Sequence, residues 1–135
     1  MYKKISVIDL QKAIQSQITD KTGLRCFDFV EKNTPSPFYF IEFIGKKPND
    51  TKTMFRESFS FYIHSIAEPA DSSVGIYKLI QQLDDALSED VKLSAEFDLI
   101  RQVNNGVLNI KTDETNEKHT VSEFVFDVCY GYKIK

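Results

Sequence analysis

Aromatic side chains in three separate stretches are the feature that most constrains how this chain folds. The chain contains eleven Phe and six Tyr but no Trp and only five Gly. The aromatic residues concentrate in residues 27–43, 55–62 and 124–132. Because aromatic side chains favour the pleated, half-buried surfaces of a sheet, the sequence predicts a fold built around a β-sheet.

Two other segments have the apolar spacing of amphipathic helices. The first predicted helix covers residues 6–22, with Ser6 as its N-cap and Gly23 just past its end. The second begins after Ser72 or Ser73, either of which can cap it. The apolar positions that define the two helices are Val7, Leu10, Ile14 and Ile18 in the first, and Ile76, Leu79, Ile80, Leu83 and Leu87 in the second.

The remaining apolar segments are predicted to be strands. Residues 38–44 (FYFIEFI) are apolar on both alternating faces, which is typical of a strand covered on both sides, within the domain or by another subunit. The Asn-Gly pair at residues 105–106 predicts a two-residue hairpin turn. The predicted strands cover residues 24–30, 38–44, 54–66, 97–103, 107–110 and 121–132.

The order of these segments predicts an α+β fold, in which an antiparallel sheet of about five strands carries both helices on one face. Ser58, Ser60, Tyr62 and His64 alternate with apolar residues and would lie on the opposite face, against solvent or a neighbouring subunit. Two polar segments are predicted to be loops. Residues 45–53 (GKKPNDTKT) lack apolar residues and would form a mobile connection, and residues 111–118 would form a charged one.

Length and charge exclude several classes of protein. A chain of 135 residues is predicted to form a single domain, residues 1–135, with an ordinary apolar core. The net charge of −3 without a basic block argues against direct binding of nucleic acid. No run approaches the roughly 20 apolar residues of a membrane span, and the N-terminus lacks the pattern of a secretion signal. We therefore expect a soluble protein made in the cytoplasm.

The residue types that usually carry catalysis do not form a motif. His64 and His119 lack a second ligand at metal spacing, and Cys26 and Cys129 are better explained as buried thiols than as a disulfide, a metal pair or a nucleophile. Neither glycine-rich phosphate-binding pattern occurs. The sequence thus predicts no catalytic residue, metal or cofactor, and it favours a binding or assembly role.

Two charged groups have equally ordinary explanations. The acidic cluster at residues 113–117 lacks the glycine and the spaced acids of a calcium-binding loop. The three lysines at residues 46, 47 and 52 can attract phosphate or an acidic surface, although lysines in a loop usually serve solubility.

The order of segments resembles that of the tail-completion, or tail-terminator, proteins of long-tailed bacteriophages and prophages. The resemblance begins with the helix DLQKAIQSQI, the strand PSPFYFIEFIG, the loop PNDTKT and the strand SFSFYIHSIAE. It continues with the helix GIYKLIQQLDDAL and the final strands around ETNEKHTVSEFVFDV. It therefore spans nearly the whole chain.

The resemblance implies a non-enzymatic virion protein, made in the bacterial cytoplasm, that closes the tail tube at the head–tail interface. It implies a homo-oligomeric ring, usually of six subunits, with the tail tube protein and the head connector protein as partners. The residues we expect at the subunit interface are Phe38, Phe40, Phe43, Phe55 and Tyr62. Those we expect to contact the tube or the connector are Lys46, Lys47, Asn49, Asp50, Asp113, Glu114 and Glu117.

Two other classes of function stay open at this point. In the first, the chain is a small cytoplasmic ligand-binding or adaptor module, and the aromatic side chains line a pocket instead of an interface. In the second, which the sequence favours least, it is an enzyme that uses His64 or His119.

Overall fold

The computed structural model describes residues 3–112 and 116–133. The elements in chain order are α1 (Val7–Thr22), β1 (Cys26–Phe27), β2 (Phe38–Pro48), β3 (Met54–Ile66), α2 (Val74–Ala86), β4 (Asp98–Thr112) and β5 (Lys118–Tyr132). The five strands form one sheet in the order β1-β2-β3-β5-β4, in which β1 pairs parallel with β2 and every other pair is antiparallel. The predicted α+β fold is confirmed.

Helix α1 begins and ends where the sequence predicts. The Ser6 side chain accepts a hydrogen bond from the Ile8 amide at 3.1 Å, which satisfies one of the free donors of the first turn. Gly23 ends the helix in the left-handed region with φ 76°, and its amide donates to the Thr19 carbonyl at 2.9 Å. The buried stripe between these caps is Leu10, Ile14 and Ile18.

Both helices pack on the same face of the sheet, here called the helix face, and they contribute side chains to one apolar core. From the strands, the core receives Tyr39, Ile41, Phe59, Phe61, Ile63, Phe124, Phe126 and Val128. The Tyr39 hydroxyl donates to the Leu79 carbonyl of α2 at 2.8 Å, so the one polar group of this large side chain is satisfied inside the core. Alternation along each strand then places the intervening residues on the other face, here called the open face.

The predicted hairpin at residues 104–106 is wrong. Strand β4 runs through this segment and pairs with β5 on both sides of it, with Asn104 opposite Phe124 and Val107 opposite Ser122. Gly106 has φ 94°, and its amide donates to the Asn104 side chain at 2.8 Å. The positive φ that suits a tight turn here accommodates extra residues in one strand, which is a β-bulge. The chain reverses instead between Thr112 and Lys118.

The predicted nine-residue loop at 45–53 is also wrong in its extent. After a register shift between Phe43 and Gly45, strand β2 continues to Pro48, which lies opposite Glu57. Lysine and proline are tolerated there because β2 is open on its outer side at this end of the strand. The connection that remains, residues 49–53, is a tight turn closed by backbone bonds from Asn49 to Arg56 and from Thr51 to Met54.

Smaller differences concern strand limits. The early strand shrinks from residues 24–30 to Cys26–Phe27, and β5 begins at Lys118 instead of residue 121. Within this one chain, the predicted covering of residues 38–44 extends only over the start, because Phe38, Tyr39 and Ile41 are buried whereas residues 42–44 are exposed. In the described part of the chain, neither helix is long and apolar enough to cross a membrane.

Candidate functional site

Three ionisable side chains from three strands form a chain of hydrogen bonds on the open face. His64 of β3 lies in the middle, with its Nε2 2.9 Å from Glu42 Oε1 of β2 and its Nδ1 2.8 Å from His119 Nε2 of β5. The Phe40 ring stacks on the His64 ring with centroids 4.0 Å apart and planes 4° apart. His64 is buried, whereas the Glu42 side chain is 54% exposed, so this group ties the three central strands together at the edge of the solvent.

The hydrogen bond between His64 and His119 limits which of their ring nitrogens can carry a proton. An imidazole nitrogen either donates or accepts, so the bond between His64 and His119 requires that one of the two rings be neutral. Both ring nitrogens of His64 are taken, one by Glu42 and one by His119, so His64 is not placed to activate a serine or cysteine nucleophile. The arrangement therefore links three neighbouring strands on the open face.

Sequence reasoning treated the two histidines separately and missed this contact. They lie 55 residues apart, and only the register of β3 against β5, with Ile66 opposite His119, brings them together. Their positions on strands of matching alternation are the one signal that a sequence carries for such a contact.

A second polar cluster lies at the other end of the open face. The Asn49 side chain donates to Ser58 Oγ at 3.1 Å, and Ser58 Oγ donates to Asp127 Oδ1 at 2.5 Å. Beside it is a surface depression of about 330 Å³, to which Lys47 and Arg101 contribute. Buried Asp127 thus lines the same depression as two basic side chains.

The five aromatic residues predicted for the subunit interface do not share one surface. Phe38 is only 6% exposed and packs edge-on against Phe27, so it offers little area to a partner. Phe55 is half-buried and stacks on Tyr130 at 6.0 Å. Phe43 is 38% exposed at the outer edge of β2, on the helix face.

The other two predicted interface residues lie on the open face. Phe40 is half-buried against His64, and Tyr62 is half-buried between them and the Ser58 cluster. Of the five aromatics, Phe43 therefore presents the best-placed exposed surface on a free strand edge.

The residues predicted to contact the tube or connector occupy opposite ends of the sheet. Lys46 and Lys47 lie in β2, not in a loop, and Lys46 Nζ is 3.7 Å from the buried Glu57 carboxylate. Asn49 and Asp50 lie in the adjoining turn, where Asp50 accepts from the Arg56 amide at 3.0 Å. Glu117 lies at the far end, next to β5. Asp113 and Glu114 lie outside the described residues.

The two cysteines are free and buried, as the sequence predicts. Burial, with a smaller contribution from the nearby Asp28 carboxylate, raises the pKa of Cys26 to about 12. A thiol that stays protonated is a poor nucleophile and a poor metal ligand. Within residues 3–112 and 116–133, no three His, Cys, Asp or Glu side chains are grouped so as to hold a metal ion.

A cavity of about 440 Å³ lies on the helix face. It is an open groove between the end of α1 and the start of α2, to which Leu24, Pro37, Ala67 and Leu79 contribute. No aromatic side chain lines it. The aromatic side chains therefore take no part in this groove.

Comparison with known proteins identifies the family. The profile of a phage tail terminator family, described as "Putative tail termination protein", matches residues 1–135. The chain belongs to this family. Its members are structural proteins of the phage tail, which confirms the resemblance seen in the sequence.

A solved structure shares the fold. A chain in the virion of a native gene transfer agent particle matches with a TM-score of 0.50 and 18% identity, over 94% of this chain and 99% of that chain. At this identity the match supports the arrangement of helices and sheet. No curated protein matches the sequence.

Proposed function

We propose that this tail terminator folds as one domain and acts as a subunit of a homo-oligomeric ring that completes the tail tube and joins it to the head connector. The family resemblance implies a ring of six copies. The observation that carries the proposal is the family match over residues 1–135. The role is geometric and non-enzymatic: a closed ring stops growth of the tube at one end and offers a different surface at the other.

The placement of the polar contact segments supports this role. The turn at residues 49–53 and the β4–β5 connection lie at opposite ends of the sheet, because β3 pairs Met54 with Tyr132 at one end and Ile66 with His119 at the other. Strand β3 has 13 residues, so the two ends are about 40 Å apart at roughly 3.3 Å per residue. One end contacts the tube and the other contacts the connector.

The experiment is polymerisation of the partner tail tube protein with and without this chain, with tube lengths measured by electron microscopy. The expected result is shorter tubes that carry a terminal ring at one end only. The variants Lys47→Glu and Asp50→Lys test the turn end, and Lys12→Glu on an exposed position of α1 is the matched control. Unchanged tube lengths with no bound density at either end would contradict the proposal.

A further inference from the structure

The two outer strands of the sheet leave long edges free for another chain. Strand β1 pairs only with Tyr39 and Phe40, so residues 41–48 of β2 have β3 as their one strand partner among the described residues. At the opposite edge, the described strands pair with β4 on one side only. Unpaired backbone donors and acceptors on such edges are templates for pairing with another strand.

Exposed apolar side chains occur on both of these edges. On β2 they are Phe43 and Ile44, exposed at 38% and 43%. On the second half of β4 they are Val107, Leu108 and Ile110, exposed at 41%, 50% and 49%. The first half of β4 differs, since Gln102 there binds the loop after α2 through the Leu87 carbonyl and the Val91 amide. Ile100, exposed at 38%, also lies in this first half, so most but not all of the accessible apolar residues of β4 lie beyond residue 106.

The direction of the strands suits pairing between copies. Strand β2 is antiparallel to β3, β3 to β5 and β5 to β4, so β2 and β4 run in opposite directions. When a second copy continues the sheet, its β2 meets β4 of the first copy antiparallel. One edge meeting the other edge is a heterologous contact, the kind that generates a ring when rotation closes it.

In one register of β2 against β4 of the next copy, opposite charges pair, exposed apolar side chains pair, and the members of each pair lie on the same face of the sheet. With Glu42 opposite Lys111, Phe43 lies opposite Ile110, and the bulge residues Ile44 and Leu108 come next to one another. Glu42 and Lys111 both lie on the open face, opposite Tyr62 and His119 of their own sheets, and Phe43 and Ile110 both lie on the helix face. A shift of one residue would place each pair on opposite faces.

The charges in this register are available for pairing. The Glu42 side chain is 54% exposed, and only its Oε1 is used by His64. A carboxylate has two oxygens and about four acceptor sites, so it can also accept from a lysine. Lys111 is exposed beside His119.

The offset between copies is compatible with a sheet that closes on itself. Within one copy, Phe38 pairs with Ile66, Ile66 with His119, and His119 with Lys111. Phe38 and Lys111 therefore lie at the same level across the sheet. Pairing Lys111 with Glu42 of the next copy, at a level where Phe38 lies within one copy, shifts each copy by four residues along the strand direction. Each copy contributes four long strands, β2, β3, β5 and β4, so the shift is one residue per strand. One residue per strand is the stagger of the eight-stranded barrel with shear 8, whose strands tilt by about 36°.

We infer that copies of this protein join by antiparallel pairing of residues 42–46 of β2 in one copy with residues 107–111 of β4 in the next. This inference rests on the proposed ring and names the contact that closes it. The lysines and Pro48 that follow on β2 limit the pairing to a short segment, as edge lysine and proline do elsewhere.

Disulfide trapping tests the register. Residues directly opposite in an antiparallel pair have Cα atoms about 4.5 or 5.5 Å apart, within the range that a disulfide bridges. A Phe43→Cys/Ile110→Cys variant should therefore form linked multimers under mild oxidation. Phe43→Cys/Asn109→Cys, with the second thiol on the other face, is the matched control and should not. Both native thiols are buried, so oxidation of the unmodified chain measures the background of cross-linking.

A charge exchange provides an independent test if the cysteine variants fold poorly. Lys111→Glu should weaken self-association by about tenfold, and Glu42→Lys/Lys111→Glu should restore it. A ring that forms normally but links neither cysteine pair, or that ignores both charge variants, would overturn the strand pairing and leave the proposed function standing. Failure of the unmodified chain to assemble, alone or with tubes, would overturn both.

Discussion

Single residues hold this fold together where strands and helices meet. His64 joins Glu42 on one neighbouring strand to His119 on the other, and Phe40 covers its ring. Ser6 caps α1, as its position before the apolar stripe predicts. The cap is predictable because its partner lies two residues away, whereas the histidine contact depends on a register that no local pattern encodes.

Replacing the α1 cap should cost measurable stability. Ser6→Ala removes the acceptor for the Ile8 amide and should lower the free energy of unfolding by about 1 kcal/mol. Ser16→Ala, at an exposed position inside the same helix, is the control and should change it little or raise it slightly. Urea denaturation of the three proteins measures the difference. Equal losses in both variants would contradict the capping role.

The Cys26 thiol should make stability fall at high pH. Its pKa is raised by burial from 9.0 to about 12, so between these values the unfolded chain loses a proton that the folded chain keeps. The unfolded state then binds fewer protons, and stability falls as pH rises, with a slope of up to about 1.4 kcal/mol per pH unit. Cys26→Ala should flatten the fall in urea midpoint between pH 9 and pH 11. Parallel curves for the two proteins would refute this explanation.

At the scale of elements, the sheet shows what local patterns can and cannot predict. The period-two alternation of residues 54–66 predicts both limits of β3 correctly. In a half-buried strand the polarity of each residue indicates which face of the sheet it lies on. The Asn-Gly pair in β4 misleads, because a positive φ serves a bulge as well as a turn. Lys46 and Lys47 mislead too, because an edge strand tolerates charge.

A side chain at Gly106, in the bulge of β4, should lower the stability of the protein. Gly106→Ala meets no atom within 4 Å, so the expected loss of about 1 kcal/mol or more comes from forcing φ 94° on an L-residue. Gly45→Ala is the matched control, because Gly45 also follows a bulge and has equally open space but no positive φ. Thermal unfolding compares the two. A neutral Gly106→Ala would show that the strand adopts another path there.

At the scale of the whole molecule, two ends and two edges of the sheet are the surfaces that matter for assembly. The polar turns lie at the ends of the sheet, and the exposed apolar residues of β2 and β4 lie along its edges. The family and the α+β fold were predictable, because they depend on the order of segments along the chain. The candidate interface was predictable only in part, since Phe38 is used inside the chain and Phe43 lies on a free edge.

The mass of the particle in solution tests the central claim most directly. Sedimentation of the unmodified chain at high concentration, alone and mixed with tail tubes, reports whether copies associate. We predict a closed multimer of defined mass that forms alone or on the tube end. A particle with the mass of one 15.6 kDa chain under both conditions would contradict it.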